Sequence, residues 1–344
     1  MSRCSIVTLL LTIPFLGFAA LMADETSQTA ETEDTKELPW MTDYTLATEK
    51  AVSEGKILLI FFKSQEKKEL CSKFESESLE HPEVKDLLKD YVLLRLPVEE
   101  SDSENKIQQV GFVQKTEKID KKDKRSDKIR KPDIPSFKET PLLKTPDFSE
   151  MLNLPGVAMI DYKYKDTEHF GKVVSVFPFR KDQVYDVFET KTLLTLPPGT
   201  VTQRSLIYAV RIHPDNPKST TGELNGYLRE QAESASLYQA KIRLQGHHNW
   251  ERRFHMINTH LSSELWAAEV CAESWPHQRL LESAIECVRC WRFSEGHWSA
   301  VVAEHPYYAY DMKRGSNGVW YATGLFGKWK SEEIKNRSQT ADSH

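Results

Sequence analysis

The sequence predicts an α/β module followed by an α+β module. Between residues 38 and 192, helical apolar spacing alternates with short apolar runs, such as 57–62 and 91–96, that are typical of buried strands. A Pro-Pro-Gly segment at 197–199 then interrupts the chain, and amphipathic helices are followed by a hairpin-like stretch at 307–326. The 344 residues and 39% hydrophobic content are enough for two domains, one on each side of this break.

The first 37 residues are predicted to be a targeting segment and a leader. Arg3 precedes an almost purely apolar run at 6–22, and Ala23 precedes two acidic residues. This order is typical of a secretory signal peptide at 1–23; the alternative is an uncleaved anchor, since about 17 apolar residues just span a bilayer. The polar residues 24–37 predict a disordered leader. We therefore expect an exported protein, periplasmic or extracellular, with no membrane span after cleavage.

Charge is distributed unevenly along the first module. Residues 99–147 lose all periodicity, and nine Lys/Arg and four Asp/Glu lie between 115 and 131, which predicts a disordered insertion. The alternative is that this basic run contacts an acidic surface or nucleic acid, but its interleaved acids and lack of aromatic residues disfavour that reading. The overall net charge of −5 argues against a general nucleic-acid binder. The polar residues 329–344 predict a flexible tail.

The first module resembles the thioredoxin family in the order of its helices and strands and in three segments. GKILLIFFKS is similar to the central strand that leads to the active-site turn, and FGKVVS is similar to a later strand of the sheet. PGVAMID is similar to the segment that carries the cis-proline, which places that proline at Pro155. The resemblance covers about residues 38–192 and implies a thioredoxin-like domain over 38–196.

The redox motif of that family is incomplete in this chain. The family has Cys-x-x-Cys at the start of a helix, whereas the matching segment here reads Lys68-Glu69-Leu70-Cys71. The nucleophile in dithiol exchange is the exposed first thiolate, and Lys68 occupies its position. We therefore expect this module to be a scaffold or a partner-binding surface. The alternative is a thiol–disulfide protein that uses Cys71 in a mixed disulfide.

The second module resembles the CAP superfamily, also called the cysteine-rich secretory or SCP-like domain. The resemblance is carried, in order, by QGHHNWERRF, AAEVCAESW, WRFSEGHW and GVWYATGLFG, over about residues 203–327. The last two segments are its most specific part. The resemblance implies a CAP-like α-β-α sandwich over 197–328.

The resemblance also implies a binding cleft. His247 matches the first cleft histidine, Glu269 matches the glutamate of the family's Gly-Glu-Asn segment, and His297 matches the second cleft histidine. The family often has a further glutamate, for which Glu295 is our candidate. Other candidates for that position are Glu273 and Glu286. Ala268 and Val270 stand where the family has glycine and asparagine, so the Gly-Glu-Asn segment is only partly matched.

Histidines and carboxylates that meet in one cleft have two kinds of chemistry. Imidazole and carboxylate groups bind Zn²⁺ or another divalent cation, with His247 and His297 as the metal-ligand candidates. The same groups perform general acid–base catalysis near neutral pH. That these side chains meet is implied by the resemblance and not by their spacing. Without it, His247 and His248 are read as ordinary residues at the end of a helix.

Three cysteines of the second module admit more than one interpretation. Cys287 and Cys290 form a Cys-x-x-Cys in the middle of a predicted helix, where the low thiol pKa of a helix start is not available. Export permits a disulfide between Cys271 and either of them. Ordinary half-buried thiols are the interpretation we prefer.

These observations predict an exported, non-redox binding or interaction protein. Its partner is expected to be a small ligand or a component of the cell envelope, with no nucleic acid. The alternative is a metal-assisted or acid–base hydrolase that uses His247, Glu269 and His297. The sequence contains no Gly-x-Ser-x-Gly segment, and we find no Ser/His/Asp arrangement, which favours binding over catalysis.

Overall fold

The structure is a computed structural model that describes residues 38–98, 142–180 and 183–331. The predicted signal peptide and leader, residues 99–141 of the predicted insertion and residues 332–344 of the predicted tail lie outside these ranges. Two mixed four-stranded sheets and the helices packed on them make up the described chain. Within those ranges, no helix has both the length and the apolar content needed to cross a bilayer.

The first sheet has the strand order β2-β1-β3-β4, with β1 and β2 parallel and the other pairs antiparallel. Its central strand β1 is buried at every residue except the last, which explains its unbroken apolar sequence. The elements of this part are α1 (Tyr44–Glu54), β1 (Ile57–Lys63), α2 (Lys68–Phe74), α3 (Pro82–Leu88), β2 (Tyr91–Pro97), β3 (Gly156–Ile160), β4 (Val173–Pro178) and α4 (Val187–Leu194).

The chain enters β3 differently from the sequence expectation. No cis peptide bond occurs among the described residues, so the bond before Pro155 is trans and the cis-proline prediction is wrong. Gly156 makes the turn instead, with a φ of 151° that only glycine adopts readily. A Cβ on Gly156 would lie 2.3 Å from the carbonyl oxygen of Phe177, so the close approach of β4 also requires a glycine here.

Folded structure resumes earlier than the predicted insertion boundary at 147. Two 3-10 turns, Leu142–Lys144 and Pro146–Met151, lead into β3. Leu142 is buried, and the ring of Phe148 packs edge-on against Phe62 at 5.8 Å. Residues 142–147 are therefore part of the folded domain, because apolar side chains at this end of the segment reach the core.

The second sheet has the order β5-β7-β8-β6, in which β5 and β7 are parallel and the other pairs antiparallel. Alternate residues of β6 face opposite layers: Ala267 packs in the cluster of α6 and α7, and Val270 in the cluster of α5 and α8. The elements are α5 (Val201–Arg211), β5 (Glu223–Leu224), α6 (Gly226–Ile242), α7 (Trp250–Asn258), β6 (Leu265–Glu273), α8 (Leu280–Arg292), α9 (Glu295–Val302), β7 (Tyr307–Arg314) and β8 (Trp320–Trp329).

Helix α5 lies between the two sheets and belongs to a core that both share. The Tyr208 ring of α5 is 4.8 Å from Phe177 of β4 and 6.2 Å from Tyr185, measured between centroids. The same cluster continues into α8 and the second sheet. The predicted boundary at 197 falls in the turn before α5, where Thr200 caps the helix by accepting from the Gln203 amide. The hydrophobic core does not divide at that turn.

Arg204 of α5 is buried in this shared core. Its Nε donates to Ser175 Oγ of β4 at 2.7 Å, and its Nη1 donates to the carbonyls of Leu196 and Pro197 at 2.9 and 2.8 Å. These partners are uncharged, and burial lowers the pKa of the Arg204 guanidinium to about 10. Arg204 therefore ties α5 to the first sheet and to the turn that precedes it.

We expect Arg204→Met to lower the free energy of unfolding by about 3 kcal/mol, because it leaves buried acceptors without a donor. Arg211→Met is the matched control on the same helix, where the side chain is half-exposed, and should cost less than about 1 kcal/mol. Urea unfolding of both variants measures the difference. Equal losses would show that Arg204 has no special role in joining the sheets.

Candidate functional site

The three side chains that the sequence predicted for the cleft, His247, Glu269 and His297, lie together beside β6, an edge strand of the second sheet. His247 lies between α6 and α7, Glu269 lies in β6, and His297 is in the first turn of α9. The Nδ1 atom of His247 is 3.0 Å from Glu269 Oε1, and its Nε2 atom is 3.3 Å from His297 Nε2. The His247 ring therefore stands between a carboxylate and a second imidazole.

Glu269 is buried because β6 turns it toward α7. Its side chain has no exposed surface, and its Oε2 atom is 2.5 Å from Arg253 Nη1 of α7. A buried carboxylate is tolerated where cations or donors surround it. Oε2 forms an ion pair with Arg253, and Oε1 lies within hydrogen-bond distance of His247.

The turn that carries His247 is held by a buried amide of α6. Gln239 Oε1 accepts from the Gly246 amide at 3.1 Å, and Gln239 Nε2 donates to Thr323 Oγ1 of β8 at 2.9 Å. Gly246 has a φ of 152°, a conformation that other residues rarely adopt. The backbone just before His247 is thus fixed relative to the sheet, which sets the direction of its ring.

Hydrogen bonding determines the form of the His247 ring. A carboxylate that accepts at this distance favours the tautomer with the proton on His247 Nδ1, and in that neutral tautomer the Nε2 lone pair faces His297. Burial lowers the pKa of His297 from its ordinary value, and the neighbouring His247 lowers it further. His297 therefore stays neutral to a lower pH than a free histidine, and the neutral ring is the form that binds metals and accepts protons.

The three candidates for a second carboxylate lie elsewhere. Glu295 begins α9, is exposed, and lines a separate surface depression with Arg292 and Trp298. Glu286 pairs with Arg289 on α8, and this hydrogen bond lowers its pKa. Glu273 is exposed at the end of β6. The group around His247 therefore contains one of the nominated carboxylates, Glu269.

Two members of the group were not nominated from the sequence. Cys271 Sγ lies 3.8 Å from His247 Nδ1, and one donor atom each from Cys271, His247 and Glu269 all fall within 4.8 Å of one another. Burial raises the pKa of the Cys271 thiol well above its ordinary value, and the charge of Glu269 adds to this. The two-residue spacing from Glu269 in a strand was the signal that places Cys271 on the same face. No sequence spacing predicted that Arg253 belongs to the group.

His248 lies beside the group but faces another way. Its Nε2 atom is 3.0 Å from the carbonyl of Leu244, and its ring packs edge-on against Tyr238 at 5.6 Å. With Tyr238, Asn249 and Arg253 it lines a cavity of about 140 Å³. His248 therefore has local partners and is not aligned with the His247–His297 pair.

The four cysteines among the described residues are all thiols. Cys287 is fully buried in α8, and burial raises the pKa of both Cys287 and Cys290. The disulfide considered between Cys271 and either of them is not formed. Reactive thiolates need a lowered pKa, so these positions are poor redox groups.

Cys71 is buried as well. Helix α2 begins at Lys68, and Cys71 in its first turn is 1% exposed within the core. The Ser64 amide donates to its sulfur at 3.5 Å. The Cys71 sulfur therefore faces the core and not the surface.

Comparison with known proteins identifies the class of the first domain. A family model described as thioredoxin-like matches residues 39–116, so the chain contains a thioredoxin-like domain there, as the sequence predicted. The match ends before the second sheet begins.

One solved structure to which the chain is similar is the solution structure of a thioredoxin from Thermus thermophilus, with 24% identity and a TM-score of 0.16. The similar region covers 18% of this chain and 46% of that thioredoxin, less than half its length. A search of the curated proteins found no match.

We expect the His297 ring to titrate below its ordinary pKa of about 6.5, because burial disfavours its charged form. NMR of metal-free protein measures the midpoint, and the His297→Ala variant assigns the signal. A His297 midpoint at or above about 6.5 would contradict the burial argument.

We also expect the unmodified protein to show no reduction of insulin in the presence of dithiothreitol. Cys71 should react with a thiol reagent only after unfolding, whereas the half-buried Cys290 should react first. Mass spectrometry of labelled peptides measures the order. Insulin reduction that disappears in Cys71→Ser would instead establish redox activity.

Proposed function

We propose that this chain is an exported, non-redox binding protein that holds a divalent cation between His247 and His297. One observation carries the proposal: the two Nε2 atoms face each other at 3.3 Å. Two nitrogen ligands, each about 2.0–2.1 Å from a tetrahedral Zn²⁺, lie about 3.3 Å apart. The two rings are therefore spaced for an ion with little rearrangement.

Glu269 would not bind the ion itself but would orient the His247 ring through the nitrogen that faces away from the ion. A zinc-binding histidine commonly donates its other ring N–H to a carboxylate, which fixes the ring and makes it a better ligand. The Nδ1–Glu269 contact at 3.0 Å has this form, and Arg253 holds the other carboxylate oxygen. His247 is 40% exposed, which leaves an entry path and room for water or a small ligand on the ion.

The CAP-like resemblance supports the same site. A histidine after a long helix, a glutamate on a strand and a second histidine near a helix start match its motif order, and helices cover both faces of the sheet. We propose a CAP-like module over 197–328, with the thioredoxin-like domain as scaffold or partner-binding surface. Its partner would be a small ligand or cell-envelope component met after export to the periplasm or outside the cell.

The second candidate is an acid–base hydrolase. Glu269 orients His247 so that Nε2 is available as a base, which is the relation between carboxylate and histidine in catalytic triads. Water would be the nucleophile, because the described residues of this group include no serine. A thiol–disulfide function is disfavoured by the burial of Cys71.

We expect metal-free protein to bind one Zn²⁺, and His297→Ala to abolish that binding. Glu269→Gln should weaken it by about 10–100-fold, because it removes the group that orients His247. His255→Ala, on the exposed side of α7, is the matched control and should bind normally. Competition with a chromophoric chelator measures the affinity, and circular dichroism checks the fold of each variant.

Unchanged zinc affinity in His297→Ala would overturn the metal proposal. Hydrolysis of an ester substrate by metal-free protein, lost in His247→Ala, would support the hydrolase candidate in its place.

A further inference from the structure

We infer that the same cleft has a second coordination mode, selective for thiophilic metal ions, in which His247 Nδ1, Glu269 Oε1 and Cys271 Sγ bind the ion. The inference deepens the cation-binding function proposed above and rests on the same histidine ring. It uses the opposite nitrogen of that ring and does not require His297.

The geometry of the three donors favours one ion between them. His247 Nδ1 lies 3.0 Å from Glu269 Oε1 and 3.8 Å from Cys271 Sγ, and all three donors lie within 4.8 Å of one another. Nitrogen and sulfur ligands of one tetrahedral ion, at about 2.0–2.1 and 2.3 Å, lie about 3.6 Å apart. The Nδ1–Sγ distance of 3.8 Å is within a few tenths of an ångström of that value.

The neighbouring contacts keep the three donors in place. Cys271 and Glu269 are two residues apart on the same face of β6, and Gln245 Nε2 donates to the Cys271 carbonyl at 3.2 Å. Arg253 pairs with Glu269 Oε2, so Oε1 is the oxygen available to an ion. The positive charge of Arg253 also lies close to the two anionic ligands, the Glu269 carboxylate and the Cys271 thiolate. The cluster is therefore built by the strand and by α7 together.

The donor set selects the kind of ion. Thiolate is a soft ligand that favours ions such as Cd²⁺ and Cu⁺, whereas imidazole suits borderline ions such as Zn²⁺. The thiol is buried, so an ion must displace its proton into solvent in a site of low polarity. A strongly thiophilic ion offsets that cost better than Zn²⁺ does.

The two coordination modes exclude each other. For His247 Nδ1 to bind an ion, its proton must be lost to solvent, and Nε2 must take up a proton from solvent. The Cys271 thiol proton is released to the buffer. A ring protonated at Nε2 cannot share an ion with His297. A thiophilic ion should therefore displace bound Zn²⁺ instead of adding beside it.

Titration of the metal-free full chain with Cd²⁺, followed by ultraviolet absorption, tests this mode. We expect one equivalent to produce a thiolate-to-cadmium charge-transfer band that is lost in Cys271→Ser and kept in Cys290→Ser, the matched control. The band should persist in His297→Ala, because this coordination mode does not use that ring. Cadmium should also release bound Zn²⁺ stoichiometrically.

A band that survives in Cys271→Ser, or its absence from the unmodified protein, would overturn the inference. If the unmodified protein shows the cadmium band but does not bind Zn²⁺, only the His247–His297 site is rejected. The two failures are therefore distinguishable. Circular dichroism of Cys271→Ser separates loss of the ligand from loss of the fold.

Discussion

Glu269 is a carboxylate without exposed surface, and such a group is stable only where the surroundings replace the water it has lost. Arg253 and His247 do this, one at each oxygen. Their contacts have consequences beyond the ion pair itself. The carboxylate fixes the proton on His247 Nδ1, directs Nε2 at His297, and leaves Cys271 as the next donor on the same strand face. The orientation of the His247 ring therefore follows from the position of this one side chain.

The cleft also depends on packing that begins in the other sheet. Tyr208 of α5 packs against Phe177 of β4, and Arg204 of α5 donates to Ser175 of β4. Ring contacts and hydrogen bonds therefore both hold the helix on the first sheet. α5 in turn packs on α8 and β7, elements that support β6 and α9. The first sheet thus contributes to the packing that supports the second sheet.

Much of the first domain could be predicted because its signals are local. The apolar run of β1 and the motif segments identified a thioredoxin-like region, which the family match confirms at 39–116. The cis-proline prediction at Pro155 was wrong because it rested on the resemblance of one segment, and an X-Pro bond is trans in most folded proteins. In the second sheet, motif order nominated His247, Glu269 and His297, but Arg253 pairs with Glu269 across 16 positions of sequence, and no spacing rule predicts that contact. Glu295 is close to His297 in sequence but not in the site. The two residues are two positions apart on helix α9 and so point in different directions, and Glu295 lines a different depression.

The shared core around α5 also determines how this protein responds to heat and to dissection. Rings from both sheets belong to one cluster, so separating the halves would expose a large apolar face on each. Melting one sheet removes the surface against which the other is packed, so we expect the two sheets to unfold as a single cooperative unit. Without the β4 surface, the Tyr208 ring and the Arg204 guanidinium of α5 would lose their packing and hydrogen-bond partners, so we expect neither sheet to fold alone.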